Sequence, residues 1–157
     1  MPGTLVAELA ALLLARGETL AVAESCTGGL IAAACTELAG SSAWFEQGVV
    51  TYSNRAKQEL LGVPEALLST QGAVSEACVR AMAEGLLARA LVQHSLAVSG
   101  IAGPTGGSAH KPVGTVWIAW TGQGATISRS FLFAGDRASI RRQAVEAALL
   151  GMLERLR

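Results

Sequence analysis

Segment 19–38 constrains the fold more than any other. Residues 19–23 (Thr-Leu-Ala-Val-Ala) form a short apolar run that reads as a buried strand. They lead through Glu24-Ser25-Cys26-Thr27-Gly28-Gly29 into an alanine-rich helix expected over 27–38. A polar, glycine-bearing turn between strand and helix exposes side chains at the carboxyl end of a sheet, the edge where open α/β folds keep their ligands. Ser25 is a candidate nucleophile there, and the start of the helix offers N–H groups to an anion or oxyanion. The same residues also read as ordinary punctuation, with Ser25 and Thr27 as helix caps and the glycines shaping the turn.

The rest of the chain extends this βα beginning. Residues 4–16 have apolar side chains at helical spacing, with Thr4 as cap and Gly17 as stop. A second strand is expected over 44–52, with Gly48 marking a bulge. Short helices follow over 55–61 and 64–68, and Ser75 caps a long helix reaching about residue 91. An apolar strand over 95–99 ends in the glycine-rich loop 100–107. Strands 113–120 and 125–133 flank the hairpin turn Thr121-Gly122-Gln123-Gly124. Asp136 caps a last helix reaching about residue 156, with an expected apolar face of Ile140, Ala144, Ala147, Leu150 and Leu153. The order α-β-α-β-α-α-α-β-β-β-α predicts an α/β fold in one domain spanning 1–157. Its sheet is mixed and mostly parallel, with right-handed crossovers and helices on both faces.

Composition removes several classes of function. With 157 residues, about half of them apolar, the chain can bury a real core. A formal net charge of zero and no long basic tract argue against nucleic acid, and aromatics at 4% leave no base-stacking platform. No apolar run approaches the ~18 residues of a membrane span. The stretch 5–15 is interrupted by Glu8 and lacks the basic start of a secretion signal. Cys26, Cys35 and Cys78 have no metal-ligand spacing and read as reduced thiols of a cytoplasmic protein.

In a parallel sheet, the loops 24–29, 52–57 and 100–107 would gather at one edge. Lys57 falls about one turn into its helix and could point back to the strand ends; a lysine near a serine is a known means of activating a hydroxyl. By spacing alone it also reads as a solvated surface charge, which is what most lysines are. The loop 100–107 fits neither the P-loop nor the dinucleotide pattern, and its glycines serve either close backbone approach to a ligand or a tight turn. Arg137 and Arg141 share a helical face and suit a phosphate or carboxylate, or ion pairs with surface acids. His94 and His110 have no carboxylate at motif spacing and read as structural or exposed.

Seven motifs together resemble the C-terminal domain of the competence-damage-inducible protein CinA. They are Ala-Glu-Ser-Cys-Thr-Gly-Gly at 23–29, Gly-Ser-Ser-Ala-Trp-Phe at 40–45, Tyr-Ser-Asn-Arg-Ala-Lys at 52–57, Gly-Ala-Val-Ser-Glu at 72–76, Ser-Gly-Ile-Ala-Gly-Pro at 99–104, Lys-Pro-Val-Gly-Thr-Val at 111–116 and Gly-Asp-Arg at 135–137. The resemblance runs in order along nearly the whole chain. It implies a three-layer α/β/α domain, a homodimer, and the amidohydrolase activity of that family on nicotinamide mononucleotide in pyridine nucleotide salvage.

The family's serine and lysine correspond to Ser25 and Lys57. Ser25 is then expected to attack the carboxamide, with Lys57 as general base. Tyr52 and Asn54 would orient Lys57 or the amide. Backbone N–H groups near Cys26, Thr27 and Gly28 would hold the oxyanion. Gly103, Thr105 and Gly106 are further candidate contacts, Thr105 standing where other members can carry Asp. Arg141, with Arg137 or Arg142, is the candidate phosphate ligand. This chemistry requires no metal and no organic cofactor. Two rivals remain at this stage: a non-catalytic nucleotide-binding module, and Cys26 as nucleophile with Ser25 as helper.

Overall fold

The computed structural model describes residues 2–157. Helix α1 (Pro2–Arg16) precedes strand β1 (Leu20–Glu24), helix α2 (Leu30–Thr36), a short 3₁₀ turn (Ser41–Ala43) and strand β2 (Phe45–Val50). Helices α3 (Asn54–Leu61), α4 (Glu65–Gln71) and α5 (Glu76–Ala90) lead to strands β3 (His94–Gly100), β4 (Thr115–Gly122) and β5 (Gly124–Leu132), and helix α6 (Arg137–Leu156) ends the chain. The strand order is β2-β1-β3-β4-β5. β1 runs parallel to both β2 and β3, while β4 lies between β3 and β5 and is antiparallel to both.

β1 is buried along its whole length, as expected of a strand covered on both faces. Leu20 and Val22 point into one layer, built with Leu9, Leu13, Ile31, Ile140 and Leu149 of α1, α2 and α6. Ala21 and Ala23 alternate onto the other face and, with Ala97 and Ala119, meet Val79, Met82 and Leu86 of α5. The layers are therefore α/β/α. Among the described residues no helix is long and apolar enough to cross a membrane.

Ser75 and Asp136 cap α5 and α6, their side chains accepting from the amides of Cys78 and Ser139. Three local expectations are corrected. The strand irregularity lies where β2 passes from Phe45 to Gln47 opposite Leu20 and Ala21, so Glu46 is the extra residue, and Gly48 pairs regularly with Val22. Gly48 is small because a Cβ there would come within 2.9 Å of the Ala32 Cβ on α2. Leu150 is 41% exposed. The buried stripe of α6 runs instead through Ala144, Val145, Ala148, Leu149, Met152 and Leu153, because the core contact advances in steps of three and four residues. Helix α2 starts at Leu30, three residues later than expected, for a reason that lies in the site itself.

Candidate active site

The carboxyl ends of the three parallel strands bring the site together. Glu24, the last residue of β1, lies opposite Val50 on β2 and Val98 on β3, so the loops after all three strands meet around Ser25. The Ser25 amide donates to the Val98 carbonyl at 3.0 Å, which fixes the backbone where the loop leaves the sheet. Ser53 caps α3, accepting from the Ala56 amide at 3.0 Å. That sets Lys57 in the first turn, and helical side chains lean toward the N-terminus. The Lys57 stem therefore runs back beneath the loop.

Lys57 is 1% exposed. Its Nζ lies 3.1 Å from Ser25 Oγ, 2.9 Å from the Thr51 carbonyl oxygen and 3.2 Å from that of Tyr52. Among the described residues no carboxylate forms an ion pair with it. Burial pushes its pKa below the ordinary lysine value. A neutral amine has two N–H donors and one lone pair. Protonated, Nζ has a donor for each of its three oxygen neighbours; in a neutral amine the two carbonyls would take both donors and the lone pair would face the Ser25 hydroxyl.

The loop corrects the expectation of an open helix start. The Glu24 carboxylate is buried and accepts from the amides of Ile31 at 2.9 Å and Ala32 at 3.0 Å. The Gly28 amide donates to the Ser25 carbonyl and that of Leu30 to the Thr27 carbonyl. Gly28 (φ 57°) and Gly29 (φ 104°) turn the chain through the left-handed region, which prevents the helix from starting at Thr27. Neither Ser25 nor Thr27 is a cap; α2 begins after Gly29 without a side-chain cap from its neighbour, and Glu24 supplies the acceptor from upstream. The Thr27 hydroxyl is buried without a hydrogen-bond partner among the described residues. The amides of Cys26 and Thr27 donate to no backbone carbonyl among the described residues, and they are the peptide donors nearest Ser25 in the loop. Burial pushes the Cys26 thiol up to about 11, far from the thiolate that nucleophilic attack requires.

Helix α6 contributes its arginines as clamps on this edge. Arg141 donates through Nε to the Cys26 carbonyl at 3.0 Å and through Nη2 to that of Thr27 at 3.3 Å. Arg137 donates to the Gly103 carbonyl at 2.8 Å and to the Tyr52 hydroxyl at 3.2 Å, joining the loops after β2 and β3. Tyr52 is 61% exposed, and Asn54, Thr105 and Gly106 are also exposed. Arg142 is exposed and turned away, lining a groove of about 500 Å³ between α2 and α6 with Leu30, Ala33 and Glu37. The cradle thus gathers Ser25, Lys57, Cys26, Thr27, Gly28, Tyr52, Gly103, Arg137 and Arg141, and leaves Arg142 outside it.

Two residues carry roles that motif spacing did not reveal. Glu24 caps α2 across the loop. His94 is buried at the opposite end of the sheet, with Nε2 2.8 Å from Glu18 Oε1, and that contact holds the Glu18 carboxyl below its ordinary range. His110 is exposed. Among the described residues no group of His, Cys, Asp or Glu could hold a metal ion.

The chain belongs to the CinA C-terminal domain family, whose model matches residues 3–156. It is 55% identical over 136 residues to the nicotinamide-nucleotide amidohydrolase PncC of Escherichia coli K12, covering 86% of this chain and 82% of that protein. It is 56% identical over 133 residues to a CinA-like protein of Geotalea daltonii, covering 85% of this chain but only 32% of that longer protein. The crystal structure of the competence damage-inducible protein A (ComA) from Klebsiella pneumoniae superposes with a TM-score of 0.95 at 46% identity, covering 99% of this chain and 96% of that one.

Proposed function

We propose that this chain hydrolyses the carboxamide of nicotinamide mononucleotide to nicotinate mononucleotide and ammonia, with Ser25 as nucleophile and Lys57 as its base. The observation that carries the reading is the buried Lys57 Nζ, 3.1 Å from Ser25 Oγ and without a carboxylate partner among the described residues. The substrate follows from the relatives named as nicotinamide-nucleotide amidohydrolases.

In this scheme Ser25 Oγ attacks the amide carbon while its proton passes to Lys57 Nζ. The oxyanion accepts from the Cys26 and Thr27 amides, held in place as Arg141 grips the two following carbonyls. Collapse expels the nitrogen, Lys57 returns the proton, and ammonia leaves. Water, deprotonated by Lys57, then cleaves the ester. An unperturbed lysine is neutral in only about one molecule in a thousand near pH 7. Burial raises that fraction, and the pyridinium cation of the substrate raises it further on binding. Arg141 and Arg137, together with the exposed side of loop 100–107, face the phosphate. A homodimer is part of the same proposal, checked by light scattering on the eluting protein.

The test is incubation of the purified chain with nicotinamide mononucleotide, with ammonia and nicotinate mononucleotide both quantified. Equimolar release of the two supports the reading. Saturable binding with no product would make the protein a nucleotide-binding module instead.

A further inference from the structure

We infer that Glu24 is a positioning residue for Ser25: its buried carboxylate ties the entry of loop 25–29 to the first turn of α2 and so sets the direction of the Ser25 hydroxyl and the Cys26 and Thr27 amides. The inference rests on the amidase reading above.

A carboxylate taken into a core is costly unless something compensates it. Glu24 is 1% exposed, and among the described residues it has no cationic partner. What compensates it are two peptide N–H groups, at 2.9 and 3.0 Å, and the positive end of α2. A serine or aspartate at position 29 would satisfy such donors with far less burial of charge. Position 29 is instead a glycine in the left-handed region. The acceptor arrives from seven residues upstream, so the bond closes a ring of chain around the nucleophile.

The backbone on either side of that ring is anchored as well. The Glu24 carbonyl accepts from the Thr51 amide at 2.9 Å, and Thr51 presents its own carbonyl to Lys57 Nζ. The Ser25 amide is held by Val98. With entry, exit and both neighbouring strands tied, Ser25 and its neighbouring amides have one arrangement. Without the Glu24 carboxylate the exit is released while Lys57 keeps its carbonyls, so the nucleophile would drift relative to the base.

Two substitutions separate this role from simple helix capping. Glu24→Gln keeps one acceptor but sets an NH2 group against a peptide N–H. Glu24→Asp keeps the charge and is one methylene too short to reach both amides. Each is expected to lower kcat about ten- to hundred-fold with KM within about threefold, the scale of loss for a reacting group displaced by about an ångström. The acid limb of the kcat–pH profile should stay in place, because the contacts of Lys57 are unchanged. Labelling of Ser25 by phenylmethanesulfonyl fluoride, read by intact mass, should slow by a similar factor.

A lowered Tm with the kcat of the folded protein within about twofold of the parent would overturn the inference, leaving Glu24 as a structural cap. A shifted acid limb with unchanged labelling would overturn it too, since Glu24 would then act by charge. If the parent releases no ammonia the amidase reading falls, while the labelling ratio still judges Glu24. Should neither variant fold, hydrogen exchange of the parent decides: slow exchange at Ile31 and Ala32 supports the tie, and exchange as fast as at Cys26 removes it.

Discussion

Replacing Lys57 by methionine removes the base and keeps the stem. The lost contacts are three hydrogen bonds, at 2.9, 3.1 and 3.2 Å. Each contributes about 0.5–1.5 kcal/mol net. Against this, the variant no longer buries an amine whose pKa is depressed by desolvation, and each unit of such depression is worth about 1.4 kcal/mol at pH values where the amine is protonated. The opposing terms are similar in size, so stability should change by no more than about 2 kcal/mol, roughly 4–8 °C in Tm for a chain of this length. The pH dependence has a definite sign. The folded pKa lies below the unfolded value, so parent stability rises as pH climbs from the folded toward the unfolded pKa; the methionine variant lacks that rise. Catalysis should respond differently. A positioned base contributes about 10²–10⁴ in rate, and a nucleophile–base pair acting as a unit up to about 10⁶. Ammonia release by Lys57→Met should therefore fall at least about a hundredfold. Lys57→Arg should fall as far, because guanidinium does not lose its proton at working pH. In the parent, kcat should rise with pH through the lowered pKa of Lys57. Retention of more than about a tenth of parent kcat by the folded Met or Arg variant would refute the base role.

Three further outcomes follow from the same geometry. Cys26→Ala should retain kcat within about threefold, and iodoacetamide near neutral pH should not inactivate the parent, because the thiol stays protonated up to about 11. Arg141→Ala should lower turnover of nicotinamide riboside as well as of the mononucleotide, since the Cys26 and Thr27 carbonyls lose their partner, with an added rise in KM of roughly tenfold or more for the phosphorylated substrate alone. The Glu18 carboxyl, held low chiefly by its hydrogen bond to His94, contributes stability above the ordinary carboxylate range that is lost as pH falls through its lowered pKa; thermal melts of Glu18→Gln should show a shallower acid decline than the parent.

The architecture was legible because strong local signals agreed with one another. Apolar five-residue runs, glycine stops and the caps Ser75 and Asp136 marked the elements, and the structure keeps their order and type. That the loops bearing Ser25 and Lys57 share one edge was readable from the βα alternation, whereas the pairing of the two side chains was favoured only through the family resemblance. What escaped were contacts between residues whose spacing carries no periodic signal. Glu24 takes the α2 amides across a loop bent by two positive-φ glycines, and a helix start was read where the chain had not yet turned. The Glu18–His94 contact spans 76 residues and is made only by sheet register. The boundary of the α6 face was misplaced at Leu150 because alanine and leucine flank the buried stripe on both sides.

The central claim is that the Ser25 hydroxyl performs the hydrolysis. The most direct measurement is ammonia release from nicotinamide mononucleotide by the purified parent and by Ser25→Ala, with circular dichroism on both and substrate binding measured by calorimetry. The variant should fold and bind like the parent and lose roughly 10⁴ to 10⁶ in kcat. A folded Ser25→Ala protein that still releases ammonia at near the parent rate would contradict that claim.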